Sequence, residues 1–211
     1  MYFIKYKDYQ IKYRHMYTAQ TFTIPELKGI SKRTVEEHLK LYAGYVKFSN
    51  LILEKIKELS SDTEKNAYTI GELQRRFSFE FNGMRNHEYY FKSLEGGPSQ
   101  LSDDSQLKKA IVDQCGSYEA WMTSFITLAL TRGVGWAMLY FDPMTKKLIG
   151  SWVDEQHLGQ LNGLPLVLGL DMWEHSFIID YSPADKKKYI TAFFENLNWS
   201  VIEKNYLTAR G

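Results

Sequence analysis

Two long stretches of helical periodicity, one directly after the other, constrain this chain more than any other feature. Ser31 can cap a helix, Thr34 to Ile56 carries apolar residues at helical spacing, and Ser60-Ser61-Asp62 ends it. A second helix is expected to begin near Thr69 to Glu72 and to run to the break at Gly96-Gly97-Pro98. Two such helices in succession bury their apolar stripes most simply against each other, as an antiparallel hairpin. The segment 96–105, GGPSQLSDDS, is dominated by glycine, proline and short polar residues and reads as a linker.

Beyond the linker the pattern changes. Gln106 to Gln114 and Tyr118 to Leu130 read as helices, and Val134 to Phe141 reads as a strand. Asp142 to Lys146 is a turn, Leu148 to Val153 the returning strand, and Leu166 to Leu170 a third, buried strand. Helices resume over Lys186 to Leu197 and Trp199 to Leu207. The fold class is therefore α+β: an N-terminal helical hairpin followed by a C-terminal α/β domain with a three-stranded antiparallel sheet. The expected parts are an extension over 1–21, the hairpin over 22–97 and the α+β domain over 98–211. Residues 1–20 interleave tyrosines with Lys and Arg; partial alternation around Phe3 to Lys7 hints at a strand, and a loose extension fits equally well. His15 lies there, remote from the other histidines, and reads as an exposed or packing residue.

Charge and cysteine content exclude several classes. The 26 Lys+Arg against 25 Asp+Glu leave a net charge of +1, without the basic excess of a dedicated nucleic-acid binder. Cys115 is the single cysteine, so neither an internal disulfide nor a zinc ribbon can form, and a reducing compartment, the cytoplasm by default, is expected. No apolar run approaches the roughly 20 residues of a membrane span, and a secretory leader is not expected.

The apolar strand at 166–170 delivers Asp171, with His175 four residues on. A helical turn after the strand would put both side chains on one face. The pair is then a structural hydrogen bond or half of a metal site. His38 stands on the first long helix with Tyr42 and Tyr45 at i+4 and i+7, and His87 lies in FNGMRNHEYYF on the second. Either could be a hydrogen-bonded core residue. Together the four would make a set of three imidazole nitrogens and one carboxylate, without thiolate. Such a set suits Fe or Mn, allows Zn, and does not favour Mg or Ca.

The sequence DMWEHSFIIDY resembles the D-x-W-E-H-A-Y-Y-L-D-Y signature of the iron/manganese superoxide dismutase family, and the resemblance extends from about Phe22 to about Tyr206. It implies one Fe or Mn per chain held by His38, His87, Asp171 and His175, a solvent in a fifth position, superoxide as substrate, and a homodimer, possibly a tetramer. Trp136 and Trp173 match the tryptophans that wall such sites, and Glu174 matches the glutamate that reaches the other subunit's last ligand.

Three departures stand out. The family's H-x3-H-x3-Y is here H-x3-Y-x2-Y, His38, Tyr42 and Tyr45. Tyr45 then matches the gateway tyrosine while Tyr42 replaces the gateway histidine, and the shortened spacing fits a plain helix without a π-type bulge. Gly83 stands where some members place a glutamine, so that duty is expected to pass to the segment 154–158, with His157 favoured over Gln156 as the partner of bound solvent. The family's Y-Y is Phe177-Ile178, with Phe177 expected to help exclude water. The alternative from another class is a metal-binding or structural homologue without dismutase activity. A mononuclear iron oxygenase fits less well, because a fourth protein ligand leaves few open positions.

Overall fold

The computed structural model describes residues 16–211. The strand hint at Phe3 to Lys7 and the reading of His15 lie outside these residues.

Tyr17 is fastened to the hairpin by two hydrogen bonds exchanged with Asn50, at 3.1 and 2.8 Å. Helix α1 spans Lys32–Leu59, and the Ser31 hydroxyl accepts the Thr34 N–H at its start. Its buried residues, Thr34, His38, Tyr42, Val46, Ser49 and Ile52, recur every three or four positions and form one stripe. The helix is α-helical throughout, so the bulge is absent as the shortened spacing implied.

One 3-10 turn, Ser60–Asp62, reverses the chain into helix α2, Thr63–Leu94. Asp62 caps α2 by accepting the Lys65 N–H, so the helix starts six residues before Thr69, earlier than the sequence pattern indicates. The reason is that 63–69, TEKNAYT, holds no buried residue and no apolar stripe, so periodicity gives no signal there. From Glu80 to Leu94 burial runs almost round the helix. That half packs on α1 and on the third strand.

Helices α3, Gln106–Cys115, and α4, Tyr118–Ala129, lead to strands β1, Gly135–Asp142, β2, Lys147–Asp154, and β3, Leu166–Asp171. The sheet is antiparallel in the order β2-β1-β3, with Trp136 opposite Asp171. The central strand β1 is buried from Gly135 to Phe141, while the edge strand β2 is mostly half-buried or exposed. Helices α5, Lys186–Glu195, and α6, Trp199–Arg210, complete the chain. Among the described residues no helix is long and apolar enough to cross a membrane.

Candidate metal centre

The C-terminal end of β3 meets the inner faces of α1 and α2, and that junction gathers His38, His87, Asp171 and His175. Their candidate donor atoms all lie within 4.8 Å of one another. Asp171 Oδ2 is the hub: His38 Nε2 and His175 Nε2 are each 3.2 Å away and His87 Nε2 is 3.5 Å away. Two donors about 2.1 Å from a common ion, at tetrahedral or square angles, stand about 3.0–3.4 Å apart, and these spacings are close to that. His38, His87 and Asp171 are 1%, 0% and 0% exposed, and His175 is 19% exposed at its side chain.

The helical rationale for the Asp171–His175 pair is corrected by the backbone. After β3 the chain stays extended at Trp173, and only a single 3-10 turn, Glu174–Ser176, follows. The spacing works because Asp171 folds the chain over itself. Its Oδ1 accepts the Trp173 N–H at 2.8 Å, and Ser176 Oγ donates to the main-chain oxygens of Asp171 and Trp173. One carboxylate oxygen shapes the turn and the other is left for the histidines.

The protonation states follow from burial. Burial lowers the His38 pKa despite the attraction of Asp171, and burial with repulsion from His38 takes His87 down to about 3. For Asp171 burial alone would raise the pKa. The charge and hydrogen bonds of His175 and His38 outweigh it and hold the carboxyl well below the usual range. The 3.5 Å His87–Asp171 approach is therefore an ion pair in distance only, because the imidazole is neutral. Moreover, His87 Nδ1 lies 2.6 Å from the Gly83 carbonyl, which accepts only from an N–H. That fixes the tautomer and leaves Nε2, a buried atom without a hydrogen-bond partner, as a bare lone pair facing a carboxylate. Burying a carboxylate is costly even with His38 and His175 hydrogen-bonded to it, and the neutral His87 lone pair gives no return. A cation between the four donors satisfies both at once.

Aromatic rings enclose the cluster. Tyr45 and Trp136 stand 5.0 and 5.1 Å from His87, Tyr90 and Phe91 each 4.9 Å from His38, and Trp173 stacks on His175 at 5.7 Å. Trp136 is fully buried on β1, and the Trp173 indole N–H donates to the Glu155 carbonyl.

The remaining sequence candidates divide. Gln156, fully buried, accepts from the Trp136 indole N–H at 2.9 Å and donates to the Tyr45 hydroxyl at 3.0 Å. His157 does not reach them. Its ring meets the edge of Phe79, and its Nδ1 lies 4.0 Å from Glu155. Of the two neighbours expected to share that duty, Gln156 rather than His157 stands beside Tyr45 and Trp136: Glu155 takes a left-handed φ of 51°, in the turn closed by Asp154 and Leu158. Tyr42 is 1% exposed, but its hydroxyl is held by the Gln20 N–H and by Glu88 rather than by the cluster. Phe177 is fully buried, its ring 5.4 Å from that of Tyr189. Glu174 is exposed on the side where His175 is partly open.

Sequence reasoning passed over three contributors. In the sequence Gly83 registers only as a missing glutamine, yet the Tyr45 ring occupies the space beside it: a Cβ there would sit 2.5 Å from Tyr45 Cδ1. Asn86, next to His87, donates to the Gln156 carbonyl at 2.9 Å, and its adjacency to a candidate ligand was a usable signal. Gln160 donates to Asn86 from a loop, where no periodicity marks it.

Residues 103–205 match the family model for iron/manganese superoxide dismutases, C-terminal domain. The chain is 36% identical over 177 residues to superoxide dismutase [Fe] of Cupriavidus metallidurans, covering 82% of this chain and 87% of that protein. It is 33% identical to superoxide dismutase [Fe] of Tetrahymena pyriformis, with 82% and 89% covered. Superoxide dismutase [Mn] of Nocardia asteroides is 31% identical, with 80% of each chain covered.

Proposed function

The chain belongs to the iron/manganese superoxide dismutase family, and from that premise we propose that it disproportionates superoxide to O2 and H2O2, with one Fe or Mn held by His38, His87, Asp171 and His175. The observation that carries this reading is the bare His87 Nε2 facing the ionised Asp171 in a buried pocket, a gap that fits a cation. A bound Fe or Mn supplies reversible one-electron chemistry, which two superoxide anions and two protons require in alternate directions.

The chain's own groups do the rest. Asp171 brings one negative charge, and the Gly83 carbonyl orients His87 by holding its Nδ1–H. Gln156, rather than His157, would hydrogen-bond the solvent on a bound metal; its amide already bridges Trp136 and Tyr45. Because Tyr45 accepts from Gln156, its own proton is left to donate, and burial raises its pKa so that it stays protonated at neutral pH. Trp136 and Trp173 limit water around the cluster.

A homodimer, with a tetramer as a further assembly, is part of this proposal, as is a cytoplasmic location. Support for the first is the exposure of Glu174 beside the most open ligand. Support for the second is the single cysteine.

The test is metal analysis of protein grown with Fe or Mn, with dismutase activity of each form. Asp171→Asn, which keeps the shape and removes the charge, is expected to abolish both metal retention and activity. Stoichiometric zinc with no activity after Fe and Mn reconstitution would sink the proposal.

A further inference from the structure

Resting on the role given above to Gln156, we infer that Gln160 is a positioning residue which, together with Asn86, sets the orientation of Gln156 in front of Tyr45. The Gln156 main-chain carbonyl accepts from Asn86 Nδ2 at 2.9 Å and from Gln160 Nε2 at 3.3 Å. Gln160 Nε2 also donates to Asn86 Oδ1 at 3.1 Å, so three amide groups close a ring of hydrogen bonds between α2 and the β2–β3 loop.

The ring has a defined sense, and Tyr140 sets it. The Tyr140 hydroxyl donates to Gln160 Oε1, which turns the Gln160 amino group toward Asn86. Asn86 must then offer its oxygen to Gln160 and its amino group to the Gln156 carbonyl. Reversing Asn86 would set two amino groups against each other and two oxygens against each other. Tyr140 and Asn86 are 2% and 3% exposed, so both anchors are fixed by packing. With its main-chain carbonyl held to α2, Gln156 starts from a fixed backbone position from which its side chain reaches Trp136 and Tyr45. Gln160 touches none of the four donors, so its loss leaves the ligand set whole.

Gln160→Glu isolates the effect. It keeps the size and still accepts from Tyr140, but an ionised carboxylate cannot donate to Asn86 or to Gln156. The readout is hydrogen exchange of the Trp136 indole N–H in the metal-free full-length protein, since that bond ends on Gln156 Oε1 and needs no ion to be seen. Gln160→Glu is expected to speed this exchange roughly tenfold, the effect of losing about one net hydrogen bond, and to lower kcat of the Mn- or Fe-loaded form with metal content unchanged. Tyr140→Phe, which keeps the packing and removes only the hydroxyl, is expected to act in the same direction more weakly, and it decides the matter if Gln160→Glu does not fold. Wild-type indole exchange in both variants overturns the inference. If exchange rises in both while Gln156→Ala leaves loaded activity unchanged, the positioning stands and the role given to Gln156 falls.

Discussion

The ring of Tyr45 lies where a side chain at Gly83 would have to stand, 2.5 Å from an ideal Cβ. One helix has given up a side chain so that an aromatic from the other can approach His87 and meet Gln156. Gly83→Ala gains helix propensity but must displace Tyr45, and overpacking of this kind costs about 1–3 kcal/mol. The expected result is a lower thermal midpoint and reduced dismutase activity with metal content retained. Unchanged midpoint and activity would show that Tyr45 can move without consequence.

Gln156 and His157 are neighbours with opposite expected effects. Gln156→Ala removes the amide that joins Tyr45 and Trp136 and leaves a fully buried gap. Its activity is expected to drop on the order of tenfold or more, while His157→Ala stays within about twofold of the parent. Steady-state kinetics on the two variants at equal metal content distinguish them, and the reverse order of effects would return the role to His157.

Acid should destabilise the metal-free protein through its histidines. Burial depresses the pKa of His38, and of His87 to about 3, whereas both stand near ~6.5 in the unfolded chain. Below about pH 6.5 the unfolded state binds protons that the folded state refuses, so stability falls as pH falls, by up to ~1.4 kcal/mol per pH unit for each histidine. Asp171 has a depressed pKa, so its contribution is kept above the ordinary carboxylate value and is lost only in stronger acid. Urea midpoints of the metal-free protein should therefore decline between about pH 7 and pH 5. A flat profile would mean that neither imidazole is held neutral.

Glu174→Ala tests the proposed assembly. The carboxylate is exposed in the single chain, so its loss should leave the monomer fold intact. In a dimer that buries it against a partner's histidine, truncation is expected to weaken association and metal retention together. Sedimentation velocity over a range of concentrations reads the first and elemental analysis the second; a wild-type protein that is monomeric and fully active would refute the dimer.

Much of this protein was written in local pattern. The stripe on α1, the cap at Ser31, the β1–β2 hairpin and the apolar third strand each follow from the period and turn chemistry of a few adjacent residues. The ligand candidates were legible because His38, His87, Asp171 and His175 are polar residues set at apolar positions, and the family signature joined them. Tertiary structure decided what no spacing encodes. The turn with a left-handed residue at Glu155 set Gln156 beside Tyr45 and Trp136 and His157 against Phe79, and the Tyr42 hydroxyl went to the Gln20 N–H and Glu88. The Asp171–His175 approach came from a side chain capping its own turn rather than from helical period. In each case the deciding partner is a single hydrogen bond or backbone angle. Such features shift a side chain from one face to another without altering the hydrophobic pattern from which a sequence is read.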